Sequence, residues 1–409
     1  MTTLPTSTAT LIPPNPGGSR RPLLTPLPEP GHFLMVIDNS SREKFVTCPQ
    51  SAYNYLVLGR EGQVKSPALT FGGALHAGLE KFLEWQYRGQ QLEGIDQSDS
   101  SVSSDAQDLA IVKFFCENPL PLDLFPDYRT VESCLEVMKH YRFQAQLPDY
   151  QWEILSDESG PVIERAFELP LGVLEVGAHI EMPWLTDTEL GKCANRWETG
   201  ESLEDLKAAG ITEATQLAPY IRSRGHKVLT FVSHIHVAWS GRIDAVVHAN
   251  GMARICDHKT ASDKRYLNPQ KYHLADQTIG YVWAAKQLFP SLDVRGFLLN
   301  GIIFRKPTGS GSIFDKGPRG GDPALSFARY YYEYSNERLL WWANNALTIV
   351  SDFIHCLTRN EFPSHTAWCH GTYGACPYLE VCEQDDPKMR EALIQSDRYK
   401  TVTWNPVKA

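Results

Sequence analysis

Two acidic side chains and a lysine stand out in the stretch GRIDAVVHANGMARICDHKTAS, with Asp244 near its start and Asp257-x-Lys259 near its end. The Asn250-Gly251 pair between them is a hairpin signal, so the stretch reads as strand, turn, strand. Alternation along a strand sends Asp257 and Lys259 to the same face. Two carboxylates on neighbouring strands offer the hard oxygen ligands that Mg²⁺ and Mn²⁺ take. An ammonium beside them can orient or activate an attacking water and offset the charge that builds on a phosphate. In outline this is a phosphodiester hydrolysis site. Taken alone, an acid-x-lysine triplet reads first as an exposed, salt-bridged strand end in a chain with 48 acidic residues.

Other residues could join that chemistry. Gln277 and Tyr281 are four apart in a helical pattern from Leu274 to Leu288, so they share one helix face. From there they can hydrogen-bond a substrate phosphate or the lysine. His76 lies in FGGALHAGLEKFLEWQY, and Gly72, Gly73, Ala74 and Ala77 around it permit close approach of another backbone. The nine cysteines divide by setting. Cys116, Cys134, Cys193, Cys256 and Cys356 sit singly among apolar or helical neighbours and read as small buried hydrophobes. Cys48, Cys369, Cys376 and Cys382 remain, and four thiolates are a complete ligand set for a 4Fe-4S cluster or a structural Zn²⁺. His370, beside Cys369, is a minor alternative ligand.

The elements that must position these residues follow from periodicity. Residues 1–31 are rich in Pro, Thr, Ser and Gly and read as a flexible tail. Phe71 to Tyr87 reads as a helix, Gln97 to Asp108 as a solvated loop, and Leu109 to Cys116 and Val131 to Phe143 as helices of an insert spanning about 97–150. From Val162 the pattern turns to strands, in VIERAFELPL, VLEVGAHIEM, VLTFVSHIHVAW, GRIDAVVHA and ARICDHK. A polar, helix-like insertion at about 185–225 interrupts them. Residues 268–288 read as helix, Phe297 to Phe304 and Leu325 to Tyr334 as strands, and Asn336 to Leu357 as a long amphipathic helix. The loop KPTGSGSIFDKGPRGGDP carries Lys306, Lys316 and Arg319, which either meet substrate or are simply solvated.

Bulk composition excludes several classes. A net charge of -9 argues against a protein that coats nucleic acid with its whole surface, so any such contact needs a local basic groove. No apolar run approaches the roughly 20 residues that span a bilayer, and the N-terminus does not read as a secretion signal. A cytoplasmic location is expected, with no membrane partner. No phosphate-loop motif occurs, so an ATP-driven motor would be a separate protein.

The order of landmarks adds a resemblance. FGGALH with His76, then Gly241-Arg242-Ile243-Asp244, then Asp257-His258-Lys259-Thr260, then Gln277 to Tyr281 resembles the RecB-like branch of the PD-(D/E)XK nuclease superfamily. That resemblance implies an α/β restriction-endonuclease-like core, a central mixed sheet flanked by helices, within a nuclease domain over 32–383. It implies His76, Asp244 and Asp257 as metal ligands together with the backbone carbonyl of His258, Lys259 as the catalytic lysine, and Gln277 and Tyr281 lining the same site. One distant cysteine with a C-terminal trio is similar to the iron-sulfur nucleases of the AddB type and the CRISPR-associated exonucleases. In those proteins a cluster clasps the two ends of the domain, which here would tie Cys48 to 369–382 and leave 384–409 as a C-terminal helix and tail. The Cys-x6-Cys-x5-Cys spacing departs from the two-residue gap expected in the CRISPR-associated group, and Asp257 stands where glutamate is commoner. The implied activity is a Mg²⁺- or Mn²⁺-dependent DNA nuclease, exonucleolytic on single-stranded ends in recombination, repair or phage DNA processing. The competing readings are a catalytically inactive iron-sulfur module that binds nucleic acid, and a nuclease subunit beside a separate helicase or recombination partner.

Overall fold

The Asn250-Gly251 pair makes the turn its residue types suit, for both have left-handed φ, 50° and 75°. The computed structural model describes residues 23–29, 32–62, 67–91, 100–119, 128–147, 152–181, 220–224, 228–304, 327–359, 361–371 and 374–401. In chain order it forms strands β1 (Leu24–Pro26) and β2 (His32–Ile37), helix α1 (Asn39–Thr47), strand β3 (Arg60–Gly62), and helices α2 (Pro67–Gln91), α3 (Ser100–Glu117) and α4 (Val131–Ala145). Strands β4 (Glu153–Ile154), β5 (Ile163–Glu181), β6 (Tyr220–Arg224), β7 (Val228–Ala249) and β8 (Met252–Ala261) follow. After them come helix α5 (Asp276–Leu288), strands β9 (Gly296–Ile303) and β10 (Phe327–Glu333), helices α6 (Asn336–Arg359) and α7 (Pro387–Ile394), and strand β11 (Tyr399–Thr401). Two compact units divide the chain, one of residues 64–166 and 242–342, the other of 1–63, 167–241 and 343–409.

In the first of these, the end of β7 pairs antiparallel with β8, from Ala249↔Met252 to Ala245↔Cys256. Strand β8 pairs parallel with β9, which pairs antiparallel with β10. The result is a mixed sheet. All eight residues of β9 are buried, so this strand needs an almost unbroken apolar run, GFLLNGII, in place of alternation. Helices cover the sheet because its strands present apolar side chains on both faces. Leu75, Leu79, Phe82 and Leu83 of α2 form one buried cluster with Ile111, Val137, Met138, Cys256 and Leu298. Next to Cys256, Asp257 turns the other way and meets Gln277 of α5.

In the second unit, β2 runs parallel to the first part of β7, from His32↔His234 to Ile37↔Trp239, with β1 antiparallel on β2 and β6 antiparallel on β7. Asp38 caps α1: its carboxylate accepts from Ser41 N at 2.7 Å, and Ser41 Oγ accepts from Asp38 N at 2.8 Å. Phe45 of α1 stacks on Phe353 of α6, and β3 pairs with β11.

Several expectations change. The stretch read as a solvated loop is helical from Ser100 onward, because Gln107 is fully buried and Arg142 bonds both Gln107 Oε1 at 3.1 Å and Asp108 Oδ1 at 3.0 Å. Tertiary contacts override the polar composition there. Residues 220–224, read as helical, form β6 through its ladder with β7. Residues 24–26, read as tail, form β1 on β2. Residues 268–288 are helical in two pieces, Pro269–His273 and α5. Cys134 and Cys256 are buried as expected, whereas Cys116 is exposed. Most of the polar insertion, Cys193, and the loop with Lys306, Lys316 and Arg319 lie outside the described residues. Among the described residues no helix is long and apolar enough to cross a membrane.

Candidate active site

The β7–β8 ladder ends at Ala245↔Cys256, so Asp244 and Asp257 occupy the next step, just beyond it. There the strands part, and Asp244 Oδ2 accepts the His258 backbone N–H at 2.8 Å. Both carboxylates are buried, with Asp244 7% and Asp257 2% exposed. Two residues on, Lys259 Nζ lies 2.6 Å from Asp257 Oδ2, as strand alternation requires. His76 enters from α2, its Nδ1 3.5 Å from Asp244 Oδ2. The glycines before it matter sterically. A Cβ on Gly72 would stand 3.2 Å from Thr260 Oγ1, and one on Gly73 would stand 2.4 Å from the Phe114 ring.

A further acid, Glu164, was not singled out by sequence reasoning. It opens β5 with a left-handed φ of 48°, a backbone conformation that is costly for a residue with a side chain. The ligand atoms of His76, Glu164 and Asp244 all lie within 4.8 Å of one another, and among the described residues no other group of three or more His, Cys, Asp or Glu does so. Arg242 Nη1 is 3.5 Å from Glu164 Oε2. The only trace of Glu164 in the sequence is an acid at the start of the apolar segment VIERAFELPL, 80 residues before Asp244 and tied to it by no spacing rule.

Electrostatics explain what this pocket can hold. Burial would raise the Asp244 carboxyl, but His76, His258 and Lys259, with the His258 N–H, hold it below the usual carboxylate range. Asp257 is pushed up by burial and by Asp244, against the pull of Lys259. Glu164 is pushed up to about 8, by burial first and then by Asp244. Burial opposes the charge on Lys259, yet Asp257 and Asp244 keep its ammonium protonated well above the usual range. Clustered carboxylates that repel one another beside an imidazole fit a hard divalent cation.

Side chains around the pocket take different parts. The His258 imidazole is pushed down to about 3, chiefly by burial, and its Nδ1 lies 2.8 Å from Asn300 Nδ2, which also donates to Tyr141 Oη at 2.9 Å. The ring is thus a neutral part of the core. An extended residue directs its N–H and C=O to the same side, so the His258 carbonyl faces the side where its N–H meets Asp244. Gln277 Nε2 is 3.4 Å from Asp257 Oδ1, and its side chain also bonds Tyr281, whose hydroxyl is pushed up to about 12 by burial and then by Asp257.

The cysteines expected to clasp the domain occupy the other unit. Cys48 follows α1 as its C-cap, and Cys376 N donates to Cys369 O at 2.8 Å. All four are half-buried, and the four sulfurs are not drawn within 4.8 Å of one another. They do feel one another. Burial raises the Cys376 and Cys382 thiols, and Cys48 and Cys369 raise them further.

No curated protein is a significant match to the chain. A profile of the PD-(D/E)XK nuclease superfamily matches residues 39–383, a span that contains every residue of the acidic pocket. That match covers most of the chain, which therefore belongs to the PD-(D/E)XK nuclease superfamily.

Proposed function

We propose that the chain is a Mg²⁺- or Mn²⁺-dependent deoxyribonuclease of the RecB-like branch, acting as an exonuclease on single-stranded DNA ends in recombination, repair or phage DNA processing. The observation that supports metal-dependent hydrolysis is the group of half-buried His76 and Glu164 with buried Asp244, beside the Asp257–Lys259 pair. His76, Asp244, Asp257 and the His258 carbonyl would hold the cation, with Glu164 as a further oxygen donor. Once bound, the cation polarises a phosphate oxygen and lowers the pKa of a water. Lys259, kept charged by its acidic neighbours, orients the attacking water and offsets charge on the phosphate. Gln277 and Tyr281 hold Asp257 and the lysine in place and meet the substrate phosphate.

We further assign a 4Fe-4S cluster to Cys48, Cys369, Cys376 and Cys382 as a clasp within a nuclease domain over 32–383. Sulfurs bound to one tetrahedral Zn²⁺ stand about 3.8 Å apart, given Zn–S bonds of about 2.3 Å. What supports the grouping is that Cys376 and Cys382 each lie close enough to Cys48 and Cys369 to be raised by them. The enzyme acts in the cytoplasm, and a helicase partner, where present, is a separate chain.

The test is digestion of single- and double-stranded DNA labelled at 5′ or 3′ ends, with Mg²⁺, Mn²⁺ or chelator. Cleavage that needs the metal and vanishes in Asp257→Ala and Lys259→Ala is expected. A wild-type protein that binds DNA without cutting it would establish the inactive alternative, and undiminished cleavage by both variants would reject the site.

A further inference from the structure

A second cluster of ionisable side chains lies in the unit that does not hold the acidic pocket. His32 is on β2, His234 and His236 are on β7, and parallel pairing sets His32 opposite His234. Residues two apart on a strand share a face, so the three imidazoles emerge on one side of the sheet. His32 Nδ1 lies 2.8 Å from His236 Nε2, and the His32 and His234 rings stack with centroids 4.5 Å apart. Two carboxylates stand behind them. Glu29 Oε1 is 3.4 Å from His32 Nε2, and Glu175 Oε1 is 4.0 Å from His234 Nδ1.

A carboxylate facing one ring nitrogen favours the proton there and leaves the other nitrogen to a metal, which is how metal-binding histidines are oriented. Glu29 faces the Nε2 side of His32 while Nδ1 faces His236, and Glu175 faces the Nδ1 side of His234. The His32 and His234 side chains keep 18% and 34% exposure, so an ion can reach them from solvent.

We propose that His32, His234 and His236 form a binding site for a borderline divalent transition ion, Zn²⁺ the simplest case, separate from the oxygen-rich nuclease pocket. Neutral imidazoles suit such an ion far better than they suit Mg²⁺. Ligand nitrogens at about 2.1 Å on a tetrahedral ion stand about 3.4 Å apart. His32 and His236 thus need only a small separation to admit one in place of their shared proton. His234 joins by turning about its side-chain bonds, since its donor atom is not within 4.8 Å of both others. Water completes the shell.

Zinc titrated into the full chain, purified without oxygen and kept in millimolar Mg²⁺, tests this against a competing chromophoric chelator. Wild type is compared with His32→Gln/His236→Gln, with the exposed-site variant His234→Gln, and with Cys376→Ser/Cys382→Ser, each melted with and without zinc. The double histidine variant should bind one equivalent less than wild type and lose the zinc-dependent rise in melting temperature. His234→Gln should bind that equivalent roughly tenfold or more weakly, and the cysteine variant should retain it. Unchanged zinc stoichiometry and affinity in both histidine variants, or no zinc left in the cysteine variant, would overturn the proposal.

Discussion

The acidic pocket holds more negative charge than its cations offset, and the metal-free protein should reveal this as stability that falls with rising pH. The Glu164 carboxyl is pushed from 4.5 up to about 8 by burial and by Asp244. Between those values the folded state keeps a proton that the unfolded chain has already released, so stability declines across that window. The full penalty is present above about 8. At about 1.4 kcal/mol per pKa unit, the shift from 4.5 to about 8 sets a ceiling near 5 kcal/mol. Asp244, held below its usual range by His76, His258 and Lys259, is ionised in both the folded and unfolded states across that window and leaves the slope unchanged. Glu164→Gln keeps the volume and removes the ionisation. With chelator present, the variant should be the more stable protein at about pH 9 and lose that advantage at about pH 5. At roughly 2.1 cal/mol/K of unfolding entropy per residue, 409 residues convert that ceiling into a melting difference of at most about 6 °C. Adding Mn²⁺ should reverse the order, because the wild-type carboxylate then gains a cation. Parallel pH profiles for the two proteins would refute the reasoning.

Three other outcomes follow from the packing. Gly73→Ala forces a methyl against the Phe114 ring and should destabilise by about 1–3 kcal/mol in urea unfolding; by shifting α2 it should also raise the Mn²⁺ concentration needed for half-maximal cleavage. The His258 imidazole, pushed from 6.5 down to about 3 by burial, takes up its proton only on unfolding, so stability present above 6.5 is lost as pH falls toward 3. His258→Gln should shallow that acid limb by about 1.4 kcal/mol per pH unit in equilibrium unfolding below 6.5. Cys376→Ser should bleach visible-range absorbance in protein prepared without oxygen while Mn²⁺-dependent cleavage persists in whatever remains folded.

What the sequence revealed tracks local rules. The hairpin around Asn250-Gly251 and the shared face of Asp257 and Lys259 are consequences of turn chemistry and strand period. The stripe of α2 that buries Leu75, Leu79 and Phe82 follows in the same way from helical period. Glu164 escaped because its place in the pocket depends on a left-handed backbone bend at the start of β5 and on packing across 80 residues, neither of which leaves a spacing signature. The first part of α3 escaped because Ser and Asp argue for a loop until Arg142 supplies partners for Gln107 and Asp108. His32, His234 and His236 escaped for a related reason. The His234-x-His236 pair is visible as strand spacing, but only the parallel register brings His32 beside it.

The acidic pocket draws on α2, the start of β5, the end of β7, and β8, so its members are scattered from His76 to Lys259. A chain growing on the ribosome displays the imidazole of α2 long before either aspartate has been made. No nascent fragment that stops short of β8 owns both the carboxylate pair and the lysine, however well its helices have formed. Cutting competence therefore cannot precede the synthesis of β8 and its long-range strand pairing, which keeps shorter nascent fragments from acting on nucleic acid.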